Sequence, residues 1–150
     1  MFSRPTLNDS PDTAGWEHFQ HGADVGIRGI GPTRSQAFEQ AALALTAVVT
    51  APEQIRSVTG IDIRCGGADD EFLFLDWINA LIFEMSTRNM LFSRFSVVLD
   101  EAGLSATAWG EEVDVARHSP AVEPKGATFT ELAVSRIRDG VWMAQCVIDV

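Results

Sequence analysis

Apolar residues recur along this chain with two different periods, and the changes of period mark out its elements. Residues 16–20 and 25–30 read as two short strands, with Gly22 and Gly26 bracketing the turn between them. Pro32 and Thr33 then announce a helix, where Thr33 can cap the first turn and Gln36 completes a capping box. Phe38, Ala41, Ala42, Leu45, Val48 and Val49 share one face at helical spacing, predicting a helix over 35–49 that Pro52 stops. Alternation returns over 55–65, with Ile61, Ile63 and Cys65 on one face of a strand. After the Gly66-Gly67 turn, Asp69 or Asp70 caps a second helix running to residue 86. Apolar side chains from Phe72 to Met85 nearly encircle that helix, which predicts burial on more than one side. Asp76 and Asn79 interrupt it and read as a solvated stripe.

The remainder is strand after strand: 91–99, 104–109, 127–137 and 141–148. The stretches 100–103 and 139–140 suit hairpin turns, and the acidic segment 110–124 with its two prolines reads as a long loop. This order predicts an α+β domain over 16–150. Its form would be a two-layer sandwich, with two helices on one face of a mixed or antiparallel sheet of about seven strands. Residues 1–15, polar and holding Pro5, Pro11 and Gly15, read as an N-terminal extension.

Composition narrows the function classes. A chain of 150 residues is most simply one domain. Asp and Glu total 21 against 11 Lys and Arg, a net charge of -10, so strong direct binding to a nucleic-acid backbone is disfavoured. An acidic protein can still act through a cation or a basic protein partner. Cys65 and Cys146 lie in apolar runs and read as buried small hydrophobes, because two thiols at that spacing match no zinc pattern. No apolar run reaches the roughly 20 residues of a membrane helix, and no secretory signal opens the chain. The expectation is a cytoplasmic protein without membrane attachment.

The candidate chemistry lies at the two ends of the pattern. Asp24 stands between the first two strands, and Asp149 ends the last one, followed by Val150. If those strands lie side by side, carboxylate and main-chain oxygens converge, a donor set for Ca²⁺ or Mg²⁺ rather than zinc. By spacing alone, two solvated acids that never meet is the commoner arrangement. Lys125, past Pro124, could pair with an acid or reach a partner's phosphate, or be an ordinary surface lysine. Thr128 could hydrogen-bond nearby. His18, His21 and His118 form no metal triad by spacing; His21 is close enough to Asp24 to orient it. Gly26, Gly29 and Gly31 do not have dinucleotide-fingerprint spacing, and there is no phosphate loop, nucleophile elbow or complete catalytic apparatus.

Several of these segments carry a family resemblance. Residues 16–27 (WEHFQHGADVGI), 35–45 (SQAFEQAALAL), 91–95 (LFSRF), 125–128 (KGAT), 142–145 (WMAQ) and the ending Asp149-Val150 resemble, in order, the motifs of the archease family. Gly22 departs from the pattern, standing where the family usually has Thr. The resemblance implies two interleaved strand-helix-strand-strand units and a protein that is not itself an enzyme. It also implies a divalent cation, Ca²⁺ foremost and Mg²⁺ as the alternative, held by Asp24, Asp149 and an oxygen of Val150. This reverses the balance that spacing alone suggests. Lys125 is implied to act in partner activation, with His21 and Thr128 nearby. The implied partner is an RNA ligase of the RtcB type, GTP- and metal-dependent, serving transfer-RNA splicing or RNA repair. A transfer-RNA methyltransferase served in a chaperone-like way is a second implied partner. The rival from another class is a metal-dependent phosphate hydrolase, with the acid pair holding the cation and Lys125 meeting the phosphate.

Overall fold

A computed structural model describes residues 14–150. The expected extension over 1–15 falls almost wholly outside them, and Gly15 already belongs to the first strand. Strand β1 (Gly15–His21) and β2 (Asp24–Gly31) form a hairpin, followed by helix α1 (Arg34–Val49) and β3 (Thr59–Gly66). Helix α2 (Asp70–Arg88) leads to β4 (Met90–Asp100) and β5 (Gly103–Glu112). A single turn α3 (Val115–His118), then β6 (Gly126–Ala127), β7 (Ala133–Arg138) and β8 (Val141–Asp149) complete the fold.

The helix starts are where the sequence sets them. The Gln36 N–H donates to Thr33 Oγ1 at 3.1 Å, and the Phe72 N–H donates to Asp69 Oδ1 at 2.9 Å. Each side chain satisfies a main-chain donor that the helix itself leaves open. Helix α2 ends on Asn89, left-handed at φ 54°, a conformation Asn tolerates better than most residues.

The α+β class holds, but among the described residues the strands number eight, the helices three, and there are two antiparallel sheets rather than one. One sheet runs β1-β2-β8-β6, with β7 also paired to β8; the other runs β3-β5-β4. Helix α1 shows why one sheet does not suffice. It packs on β1, β2 and β8 of the first sheet and also on β4 of the second. Ala37, Phe38, Ala41, Ala42, Ala44, Leu45, Val48 and Val49 are all buried, more than one face of a helix. One sheet covers one face; a helix buried on two needs two layers. Helix and strand approach closely enough that a Cβ at Gly29 would collide with the Ala37 carbonyl.

Between the helices, Phe38, Leu45, Trp77 and Leu81 are all buried, and the Trp77 indole N–H donates to the Phe38 carbonyl at 3.0 Å. That bond satisfies the one polar atom of the largest core side chain. Both cysteines are free. Cys146 is buried, and desolvation pushes its thiol up to about 12. Cys65 is half-buried, its thiol raised by desolvation first and by Asp76 second.

Candidate functional site

The pairing of β2 with β8 brings the two ends of the pattern together. Val25 stands opposite Ile148, so the next step of the same antiparallel register sets Asp24 opposite Asp149. On the other flank of β8, Gly126 stands opposite Asp149, and the Lys125 N–H donates to the Asp149 carbonyl at 2.8 Å. Asp149 therefore sits between Asp24 and Lys125, on three neighbouring stretches of chain about 4.8 Å apart. The Val150 N–H reaches Asp24 Oδ1 at 3.4 Å, at the long limit of a hydrogen bond. Asp24 and Val150 are half-buried; Asp149 and Lys125 are exposed.

Local sequence explains this placement. The β1–β2 hairpin closes through Gly22 and Ala23, with His21 opposite Asp24 at its mouth. Gly22 adopts φ +60°, a left-handed conformation that glycine enters without strain. The departure from Thr at this position therefore suits the turn. The turn is also two residues shorter than the gap expected between strands 16–20 and 25–30, because His21 and Asp24 already pair as the last step of the ladder. Among the described residues no side-chain hydrogen bond joins His21 to Asp24, and His21 is exposed.

Thr128 is engaged elsewhere. Its hydroxyl and its N–H both donate to the Val147 carbonyl, at 2.9 and 3.0 Å, pinning the segment beside the end of β8. Asn79 is not part of a solvated stripe. Its Oδ1 accepts the Ala127 N–H at 2.8 Å, tying β6 to α2 and fixing where Lys125 leaves the sheet. A polar residue amid an apolar helix was the available signal. Asp76 is exposed, as that reading expects. The expected strand over 127–137 breaks into β6 and β7, because Glu131 turns left-handed at φ 56° between them.

A second charged cluster escapes the sequence reading altogether. The segment expected to be a loop over 110–124 holds the end of β5, helix α3 and a buried histidine. His118 Nδ1 accepts the Asp114 N–H at 2.9 Å, so Nε2 carries the proton and donates to Glu111 Oε2, also at 2.9 Å. Arg117 donates to both Glu111 oxygens, at 2.7 and 2.8 Å, and the Arg56 N–H adds a further bond. The Arg117 hydrogen bonds, with smaller help from Arg56 and His118, hold the Glu111 carboxyl far below the usual carboxylate range.

By contrast, no ion pair joins Lys125, Asp24 or Asp149 to an opposite charge among the described residues. Nor do three His, Cys, Asp or Glu side chains gather there into a ligand set. Asp24, Asp149, Val150 and Lys125 converge through the main chain; His21 and Thr128 lie beside them without joining by a side-chain bond. No helix among the described residues is long and apolar enough to cross a membrane.

Protein archease of Pyrococcus furiosus is 37% identical over 139 residues, spanning 90% of this chain and 98% of that one. The archease of Methanosarcina barkeri is 31% identical over 140 residues, spanning 90% and 95%. The solution structure of Methanobacterium thermoautotrophicum protein 1598 superposes with a TM-score of 0.79 at 31% identity, covering 91% of this chain and 99% of that one. A Thermotoga maritima archease, described as a possible chaperone, shares the fold with a TM-score of 0.60 at 19% identity, covering 88% and 94%. The model of the Archease protein family matches residues 16–150, and with these relatives it shows that the chain belongs to the archease family.

Proposed function

We propose that this chain is a non-enzymatic accessory protein of a GTP- and metal-dependent RNA ligase of the RtcB type, acting in transfer-RNA splicing or RNA repair. It promotes guanylylation of the ligase and its repeated turnover. The observation that carries this reading is the bracketing of Asp149 by Asp24 and Lys125, charges gathered at a surface without engaging one another. Membership of the archease family, one member of which is described as a possible chaperone, supports a role exercised through a partner protein.

The donor chemistry fits a hard cation. Asp24 and Asp149 supply carboxylate oxygens and Val150 adds an oxygen next to Asp24, a set made of hard oxygens. Ca²⁺ takes six to eight oxygens, so a ligand set this small leaves room for water or for a partner's groups, and the same holds for Mg²⁺. The cation would neutralise the acids and offer positive charge to a phosphate. Lys125 presents a second positive charge beside Asp149, held in place by its own N–H and by the Asn79 tether two residues on, at Ala127. If these groups favour the ligase conformation that accepts GTP, the effect equals the difference in their affinity for the two ligase states.

Two measurements test this. Calorimetry should show Ca²⁺ or Mg²⁺ binding to the wild type and its loss in Asp24→Ala. Labelling of the ligase with GTP should be stimulated by the wild type, and not by folded Asp24→Ala or Lys125→Ala. Equal stimulation by those variants refutes the shared site. The description of the Thermotoga maritima relative as a possible chaperone favours a broader second reading, a chaperone-like role toward another RNA-modifying enzyme such as a transfer-RNA methyltransferase. Protection of that enzyme from inactivation, without any effect on ligase guanylylation, would select it.

A further inference from the structure

Two phenylalanines lie at the surface where neither helix packing nor sheet pairing explains them. Phe72, in the first turn of α2, is 56% exposed, and Phe129, between β6 and β7, is 68% exposed. Their rings meet edge to face with centroids 6.0 Å apart. The inward positions of that part of α2 are already filled by Leu73, Phe74, Leu75 and Trp77. Isolated exposed apolar side chains are ordinary, but two large exposed rings in edge-to-face contact form a patch.

The setting of the patch points to its occupant. Asp69, Glu71 and Asp76 are exposed on the same stretch of α2, and Glu131 is exposed two residues beyond Phe129. The local cation Arg34 is taken up by Asp70. The chain from Lys125 to Phe129 follows α2, tied to it at Ala127 by Asn79 and at Phe129 by the ring pair. Asn79 lies two helical turns from Phe72, about 10 Å. The aromatic pair and the Lys125–Asp149 site are therefore parts of one continuous face.

We propose that Phe72 and Phe129 form the aromatic anchor of a docking surface for a partner protein that presents arginine or lysine side chains together with apolar ones. A guanidinium stacks on an exposed ring face and is drawn by the surrounding carboxylates, while apolar groups cover the ring edges. Nucleic acid is the wrong occupant, since its phosphates meet the same carboxylates. A second copy meets them with equal charge, in a chain of net charge -10. Only the identity of the partner rests on the function proposed above; the chemistry of the surface does not.

The experiment has two arms and uses the full chain. In the first, a ¹⁵N-labelled sample is titrated with a 12-residue peptide of alternating Arg and Leu, and separately with its Glu-and-Leu counterpart, about a dozen residues being enough to cover such a patch. The Arg peptide should shift amides of 69–76 and 127–131, and Phe72→Ala/Phe129→Ala should lose those shifts. No shift there, or equal shifts with the Glu peptide, overturns the proposal. In the second arm, the double variant should raise the concentration needed for half-maximal stimulation of the ligase at least about tenfold, with a stronger salt dependence in the wild type. An unchanged half-maximal concentration overturns the docking role while the accessory function stands. A ligase that ignores the wild type, beside intact peptide shifts, refutes the accessory function and leaves the surface in place. A wild type that dimerises through these rings, by sedimentation, assigns the patch to a second copy and overturns the proposed occupant. Both side chains are largely exposed, so the variant keeps its fold, and its circular dichroism checks this.

Discussion

Two charged clusters in this molecule teach opposite lessons. Around Glu111, each charge is engaged by another: Arg117 grips both carboxylate oxygens, His118 donates to one, and the Asp114 N–H fixes the histidine's tautomer. Around Asp149, the chain assembles Asp24, Lys125 and Val150 with equal care, yet its backbone does the assembling and no ion pair closes the group among the described residues. The first cluster is closed and holds α3 against β5. The second is open, which is what a site for a cation or a partner requires. Proximity of charges alone does not separate structure from function; what separates them is whether the charges satisfy one another.

Substitutions can break or sharpen this contrast, and stability against urea is a common scale for them. The largest loss belongs to neither cluster. Leu81→Ala, in the core beside Trp77, should cost about 2–5 kcal/mol. It sets the size of a purely structural defect, and a loss below about 1 kcal/mol would mean that α2 is held less tightly than its burial implies. Next comes the closed cluster. His118→Ala removes a buried partner of the Asp114 N–H and should cost about 1–3 kcal/mol, with stimulation of the ligase by the folded fraction retained.

The third effect appears only in acid. Glu111 titrates far below an ordinary carboxylate, so its contribution is fully present above about pH 4.3 and is lost as pH falls below that toward its native value. Glu39 has the opposite sign: burial raises it, against the Val97 N–H that lowers it, so protonating Glu39 relieves strain rather than adding it. Urea midpoints measured from pH 6 down to 3 should fall less steeply in Glu111→Gln than in the wild type. An identical slope would mean that the closed cluster is not what acid dissolves.

The smallest effect on stability should come from the open cluster. Asp24→Ala and Lys125→Ala should each change stability by no more than about 0.5 kcal/mol, while abolishing cation binding or ligase stimulation. A loss comparable to that of His118→Ala would close the distinction and make the open cluster structural too. Asp149 ends β8, so Asp149→Asn is the safer test there.

The contrast also explains what could be read from residue order. Caps were legible because Thr33 and Asp69 answer a local need, the open N–H groups of the next turn. The ordered motifs point to the meeting of Asp24 with Asp149, whereas spacing alone favours two acids that never meet. Period-two alternation marks a strand but not its sheet, so the division into two sheets was invisible, although the all-round burial of α1 demanded it. His118 was missed because an acidic segment with two prolines looks solvated, and its partners Glu111 and Arg117 advertise nothing until they fold together. The break between β6 and β7 depends on a left-handed Glu131, which no propensity predicts. In the open site, His21 stands opposite Asp24 in the hairpin, and residue order does not reveal that the Thr128 hydroxyl is spent on the Val147 carbonyl.

The strand that completes the site is also the last strand of the fold. Strand β8 lies between β2 on one side and β6 and β7 on the other, so the five-stranded sheet has a gap at its centre until β8 arrives. During synthesis, the β1–β2 hairpin waits with an unpaired edge for a segment more than a hundred residues downstream. Contacts that close so large a loop form late and slowly. The same step that seals the sheet brings Asp149 beside Asp24. The chain therefore cannot bring Asp24, Asp149 and Lys125 together before β8 has docked, and a copy in which β8 is unpaired does not assemble them.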